Sequence, residues 1–215
     1  MVNMTNEEFY IAIKKDFGIE LSDVQKKQLE EFYTILIEEN KKINLTRIVE
    51  KKAVYLKHFY DSLTLEKVVN LNKIETLCDV GTGAGFPGIV LKIIYPNLKI
   101  TLIDSLLKRV NYLNATIKKL NLNNIQAIHS RSEDYHGKFD IVTTRAVASL
   151  DKLIPWCSHL IGKSGKLVAM KANLQDEIEK STKVLNKYKC KIITKEEFLL
   201  PKENSKRTLL VIKRF

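Results

Sequence analysis

The sequence predicts an α/β protein: a Rossmann-like, mostly parallel seven-stranded sheet with an antiparallel edge strand, preceded by a helical extension. Three observations point there. Apolar residues recur at helical spacing through residues 1–74. From residue 75, short β-branched runs alternate with amphipathic helical stretches, the pattern of βαβ units in a parallel sheet. A glycine-rich turn, Gly81-Thr82-Gly83-Ala84-Gly85, follows the first apolar run and opens a helix.

The elements follow in order. Thr5-Asn6-Glu7-Glu8 and Ser22-Asp23-Val24-Gln25 are capping boxes, which start two helices. Leu29, Phe32, Tyr33, Leu36 and Ile37 mark the buried face of the second, which runs to about residue 42. A third helix is expected over about 50–69 after the short link Asn44-Leu45-Thr46. Strands are expected at 75–80, 98–103, 125–129, 139–143 and 166–171, with helices at 86–95, 106–120, 150–160 and 173–187. Two last strands, near 190–199 and 207–214, flank the polar turn 201–205 and close the sheet with a hairpin. The expected division is a helical extension over 1–74 and a Rossmann-like domain over 75–215.

Composition narrows the class. The chain has 215 residues, of which 45% are hydrophobic and 28% charged, so it is globular rather than disordered. No run approaches the ~20 apolar residues of a membrane span, and the N-terminus has no secretory core. A cytoplasmic monomer without a membrane partner is the expectation. Cys78, Cys157 and Cys190 are odd in number and widely spaced. They read as small core hydrophobes, and no metal site is expected.

The net charge is +11. Residues 1–74 hold 12 basic and 12 acidic side chains, so the whole excess lies in 75–215. A basic imbalance of this size suits a polyanion such as nucleic acid. The chain also uses 30 Lys against 6 Arg, as an AT-rich genome would encode, which weakens the charge argument taken alone.

The glycine loop, with Asp79 before it and Asp104 closing the next strand, marks a nucleotide-type site. Two ligands compete. Residues 83–88 spell G-x-G-x-x-G, which suggests a dinucleotide. The register is wrong, because Phe86 takes the last glycine position when the turn starts at Gly81. Asp79 would also repel a pyrophosphate. S-adenosyl-L-methionine carries an ammonium and a sulfonium and no phosphate, so an acidic loop favours it. Ser132 and Glu133 follow the third strand and fall in the same crevice as Asp79 and Asp104, beside an adenine edge. Arg145 follows the fourth strand, on the acceptor side. No N-P-P-Y motif accompanies it, which argues against methylation of an adenine amine. Lys171 ends the fifth strand, facing the crevice or a phosphate. His58, Asp61 and Ser62 share a helix face at i, i+3 and i+4, with Asn44 and Arg47 just upstream.

Read together, Asn44-Leu45-Thr46, His58 with Asp61-Ser62-Leu63, the loop from Asp79 to Gly88, Asp104-Ser105 with Lys108-Arg109, Arg131-Ser132-Glu133, Thr144-Arg145-Ala146-Val147 and Lys171-Ala172 resemble the ribosomal small subunit methyltransferase G family, also called glucose-inhibited division protein B. The resemblance implies a class I S-adenosylmethionine-dependent methyltransferase acting on guanine N7 of bacterial 16S rRNA near the decoding site. Carried over by position, it implies cofactor contacts at Gly81, Gly83, Gly85, Phe86, Asp104, Ser105, Leu106, Ser132 and Glu133, with Arg145 near the reacting end. Its partner is 16S rRNA or the small ribosomal subunit.

Guanine N7 has an in-plane lone pair and no proton, so no general base is required. Asp61 is the expected stabiliser of the positive charge that develops on the purine, with Asn44 second and His58 positioning them. Arg47, Lys163, Lys166, Lys171, Arg207 and Lys213 are the expected RNA contacts. A methyltransferase of the same fold acting on another RNA base, a protein or a small molecule is the alternative. A nicotinamide oxidoreductase and a non-enzymatic RNA-binding module are more distant ones.

Overall fold

The computed structural model describes residues 4–172, 174 and 176–215. Both capping boxes form. Thr5 and Glu8 cap α1 (Asn6–Phe17), and Ser22 and Gln25 cap α2 (Asp23–Ile43). Each satisfies two backbone donors that a helix start leaves unpaired. Asn44 ends α2 in the left-handed region at φ 51°, a conformation that asparagine tolerates better than most residues.

The expected helix over 50–69 is not uniform. It runs as α3 (Lys51–Val54), a π-helical turn over Tyr55–Tyr60, α4 (Asp61–Leu63) and a 3-10 turn over Thr64–Lys67. The π-turn is a local widening that often marks a functional site. It falls on His58.

The sheet contains β1 (Thr76–Val80), β2 (Lys99–Asp104), β3 (Ile125–His129), β4 (Phe139–Arg145), β5 (Ile161–Lys171), β6 (Cys190–Leu199) and β7 (Lys206–Arg214). Their order is β3-β2-β1-β4-β5-β7-β6. β1 to β5 are parallel, and β7 runs antiparallel between β5 and β6. The strand order reverses between β1 and β4, so the crevice for a ligand opens at their carboxyl ends. β5 begins five residues before the expected position, because Ile161 already pairs with Phe139.

The helices are α5 (Gly88–Ile94), α6 (Leu107–Lys119), α7 (Leu150–Cys157), α8 (Glu177–Lys180) and α9 (Thr182–Lys187). The stretch expected as one helix over 173–187 divides at Ser181, and positions 173 and 175 lie outside the described residues.

Strand alternation builds two cores. Leu209 and Val211 of β7 face one layer, and Leu210 and Ile212 face the other. The first layer joins Phe9, Phe32 and Phe59 of the N-terminal helices to Phe86, Ile89 and Leu113 above the sheet. The second holds α7 and α9 against β4 and β5, with all three cysteines buried in it. The N-terminal segment therefore shares its hydrophobic core with the sheet. Among the described residues, no helix is long and apolar enough to cross a membrane.

Candidate active site

Two cavities open at the carboxyl edge of the sheet, and both are lined by Ala146. The larger, of about 440 Å³, lies over β1, β2 and β3. Gly81, Asp104, Ser105, Ser132 and Glu133 line it, as expected from the sequence, together with Arg109, Arg131, Val147 and Trp156. Asp104 organises this cleft. Its Oδ2 accepts from the Gly83 amide at 2.9 Å and its Oδ1 from the Leu106 amide at 2.9 Å. Arg109 stands 3.5 Å from Oδ2. Oδ1, with one donor, keeps capacity for a further one, such as a ribose hydroxyl. Ser132 donates to Glu133 at 2.9 Å and fixes that carboxylate in the wall. Gly81 needs its glycine twice over. Its φ is +69°, and a Cβ there would meet the Val147 side chain at 2.7 Å.

Asp79 is placed differently from the expectation. It lies beneath the loop rather than at its mouth, fully buried, with Oδ2 accepting from the Thr82 hydroxyl and the Gly88 amide. Oδ1 finds no partner among the described residues. Burial pushes this carboxyl up to about 6, against the lowering effect of those hydrogen bonds. An unpartnered anion below the loop suits a cationic ligand above it. The residues therefore fit S-adenosylmethionine: an acidic floor, a carboxylate closing β2 and an open cleft over the switch point.

Gly83, Gly85, Phe86 and Leu106 do not line the cleft, although the Gly83 and Leu106 amides hold Asp104 in it. Gly85 packs against Ile89 and Leu113, and the Leu106 side chain is exposed. Phe86 is buried and lines neither cavity. It stacks on His58 with ring centres 4.4 Å apart, and the Arg145 guanidinium lies 5.2 Å from its ring centre.

The smaller cavity, of about 220 Å³, has apolar walls from Met170, Ala172 and Leu209 and a charged floor. Arg145 leaves β4 into this cavity, so the structure puts it on the acceptor side and not in the cleft wall. It donates to Asp61 Oδ2, the Lys57 carbonyl and His58 Nδ1, each at 3.3 Å. Arg207 Nε donates to Asp61 Oδ1 at 3.0 Å. Asp61 is thus bracketed by two guanidiniums. His58 and Asp61 share a helix face as expected, yet they meet through Arg145.

The tautomer of His58 follows from its partners. Arginine only donates, so Nδ1 accepts and Nε2 carries the proton. Nε2 donates to the Thr46 hydroxyl at 2.9 Å. Burial, and then the Arg145 charge, lower His58 to about 3. It stays neutral at physiological pH.

Several other expectations change. Asn44 is exposed at the end of α2 and lines neither cavity; its neighbour Thr46 makes the contact to His58. Arg207 pairs with Asp61 instead of facing a phosphate. Lys171 lines the smaller cavity, as one of its two expected positions had it, but its ammonium is engaged by the Ala148 carbonyl and by Glu177 at 2.8 Å. Lys163 and Lys166 lie at the start of β5, and Lys213 lies beside that end on β7. From Lys166 to Lys171 the strand advances roughly 16 Å, so these three lysines stand at the opposite edge from the site. Arg47 is exposed on the loop that carries Thr46. Arg109, which belongs to the Lys108-Arg109 pair of the family pattern, lines the larger cavity, whereas Thr46, Lys57, Trp156, Met170 and Leu209 were not singled out in the sequence as site residues. Only Thr46, within the Asn44-Leu45-Thr46 link, carried a signal there.

Fold and site together define a class I, S-adenosylmethionine-dependent methyltransferase. The chain belongs to the rRNA small subunit methyltransferase G family, whose model matches residues 25–206. The Ribosomal RNA small subunit methyltransferase G of Macrococcus caseolyticus is 43% identical, with 97% of this chain and 90% of that protein covered. That of Bacillus licheniformis is 44% identical, covering 98% and 91%. Among solved structures, M. jannaschii TYW2 in complex with AdoMet superposes with a TM-score of 0.57 over 79% of this chain and 80% of that one, at 19% identity. That likeness speaks for the fold alone.

Proposed function

We propose that the protein transfers a methyl group from S-adenosylmethionine to N7 of a guanine in 16S rRNA near the decoding site, acting as a cytoplasmic monomer. In this reading residues 1–74 cap the acceptor side and 75–215 carry the cofactor cleft. The family match carries the choice of N7, and the smaller cavity agrees with an acceptor that already holds a lone pair. His58 has both ring nitrogens engaged, and the charge of Asp61 is balanced by two arginines, although each of its oxygens can still accept a hydrogen bond. Exocyclic amines and hydroxyls must lose a proton during methylation, whereas N7 attacks with an existing lone pair. The bound cofactor supplies an electrophilic methyl on a sulfonium. N7 would attack that methyl with its lone pair, the sulfonium sulfur would keep the electrons of the broken C–S bond, and positive charge would pass to the purine. No proton moves.

The chain contributes alignment and electrostatics. Asp104 and Glu133 hold polar groups of the cofactor, and the buried Asp79 anion favours its cationic end. Phe86 packs behind His58 and Arg145, which line the smaller cavity. The N7 edge is unreachable inside an A-form helix, so the target base must be turned out to enter. Arg131, exposed in the lining of the larger cavity, and Arg47, exposed next to the Thr46 that bonds His58, are the better-placed phosphate contacts.

The test uses labelled S-adenosylmethionine with unmodified 16S rRNA, naked and in small subunits. The RNA is digested to nucleosides and the labelled product identified by mass spectrometry. The expected product is 7-methylguanosine. Label in another nucleoside, or none despite cofactor binding, would overturn the choice of acceptor.

A further inference from the structure

The smaller cavity, of about 220 Å³, has room for one planar base; Lys57 and Lys171 in its wall are paired with Glu203 and Glu177, and the remaining charged groups form a bonded chain. Arg145 adjoins Ala146, the residue common to both cavities; Asp61 comes next, and Arg207 lies on its far side. From the cofactor cleft outward the floor thus presents donor, acceptor, donor. A guanine with N7 toward the cleft presents O6 next, then N1–H and the 2-amino group. That sequence is acceptor, donor, donor. We propose that Asp61 and Arg145 select guanine, with Arg145 donating to O6 and Asp61 accepting from N1–H and the 2-amino group. This rests on the acceptor being a purine N7 turned into the smaller cavity.

The atoms needed are available. Arg145 uses both NH1 protons, on Lys57 and Asp61, and one NH2 proton, on His58, which leaves Nε–H and one NH2 proton. Each Asp61 oxygen accepts one arginine bond and has room for a second. Adenine in the same pose would set its amino group against Arg145 and its N1 lone pair against the carboxylate, two mismatches. Met170, Ala172 and Leu209 supply apolar contacts that any base accepts, so discrimination falls to the charged floor. The arrangement also suits the reaction. Charge arriving on the purine makes N1–H more acidic, so its bond to Asp61 strengthens as the methyl transfers. A carboxylate already held by two guanidiniums can act through that one hydrogen bond.

The test is a cycle on enzyme and substrate. An RNA carrying the methylated guanine is compared with the same RNA bearing inosine there, which lacks only the 2-amino group. Wild type is expected to lose about 10–100-fold in kcat/KM on inosine, the range for one hydrogen bond to a charged partner. Asp61→Ala is expected to lower activity on guanine and to treat the two RNAs within about 3-fold of each other, the inosine penalty having vanished with its acceptor. Cofactor affinity and thermal midpoint report whether this variant is folded. Should it be unfolded, Asp61→Asn replaces it, with a reduced inosine penalty expected. Equal wild-type rates on both RNAs, or an unchanged penalty in the folded variant, would overturn the assignment. Failure of the underlying reading looks different: wild type would then yield no 7-methylguanosine.

Discussion

Asp79 shows how one residue's surroundings decide its chemistry. Its carboxyl sits beneath the glycine loop, where burial favours the neutral form and raises it to about 6, above the 3.8 of a free aspartate. Between pH 4 and 6 the unfolded chain has lost this proton and the folded chain has kept it, so this group's contribution to stability falls as pH rises through that window. Cofactor binding runs the other way, because a cationic ligand favours the ionised carboxylate. Affinity for S-adenosylmethionine is therefore expected to rise from pH 5 to 7.5, and calorimetry across that range measures it. Asp79→Asn should flatten the profile and weaken binding by roughly 10-fold or more, as for loss of a charged hydrogen-bond partner. A profile that keeps its slope in the variant would assign the proton elsewhere. The sequence pointed to Asp79 and to its acidity. It left out the depth, because burial depends on Thr82 and Gly88 folding back over the carboxylate.

At the scale of elements, the parts set by local rules were readable. Both capping boxes, the glycine turn and the seven strands follow from caps, periodicity and turn chemistry. The parts set by long-range contacts were not. The π-turn over Tyr55–Tyr60 gives no periodic signal, yet it places His58 between Thr46 and Arg145. Asp61 and Arg207 are 146 residues apart in sequence, so no spacing rule could join them. Lys171 is polar at a strand end and reads as exposed until Glu177 folds over it. α2 tests how far the helical segment supports the site. Phe32 is fully buried, with its ring centre 5.3 Å from that of Phe86. Phe32→Ala is expected to cost about 3–5 kcal/mol in denaturant unfolding. It should also raise KM for RNA, because Phe86 braces His58 and Arg145. A drop in stability with unchanged kinetics would mean that α2 is a passive cover.

For the whole molecule, the charge excess was readable and its geography was not. All of the +11 lies in residues 75–215, but Lys163, Lys166 and Lys213 face away from the cavities, and Lys171 and Arg207 are engaged by carboxylates. Glutamate at Arg47 and Arg131 is expected to weaken RNA binding and to flatten its salt dependence by about one unit of slope for each phosphate no longer neutralised. Glutamate at Lys163 and Lys166 should leave both nearly unchanged. Filter binding from 50 to 300 mM salt separates the two pairs, and equal effects would place the RNA across the whole basic surface.

The position of β7 carries a consequence for synthesis. This strand lies between β5 and β6 but is translated after both. Until it emerges, the free edge of β5 has no partner, β6 has nothing to pair with, and Asp61 lacks one of its two arginines. At about 5–20 residues per second, a ribosome takes a few seconds to travel from β5 to β7. Throughout that interval the nascent chain displays an open sheet edge, and its acceptor cavity has no finished floor. The acceptor cavity is therefore completed only when one late hairpin docks onto the edge of β5.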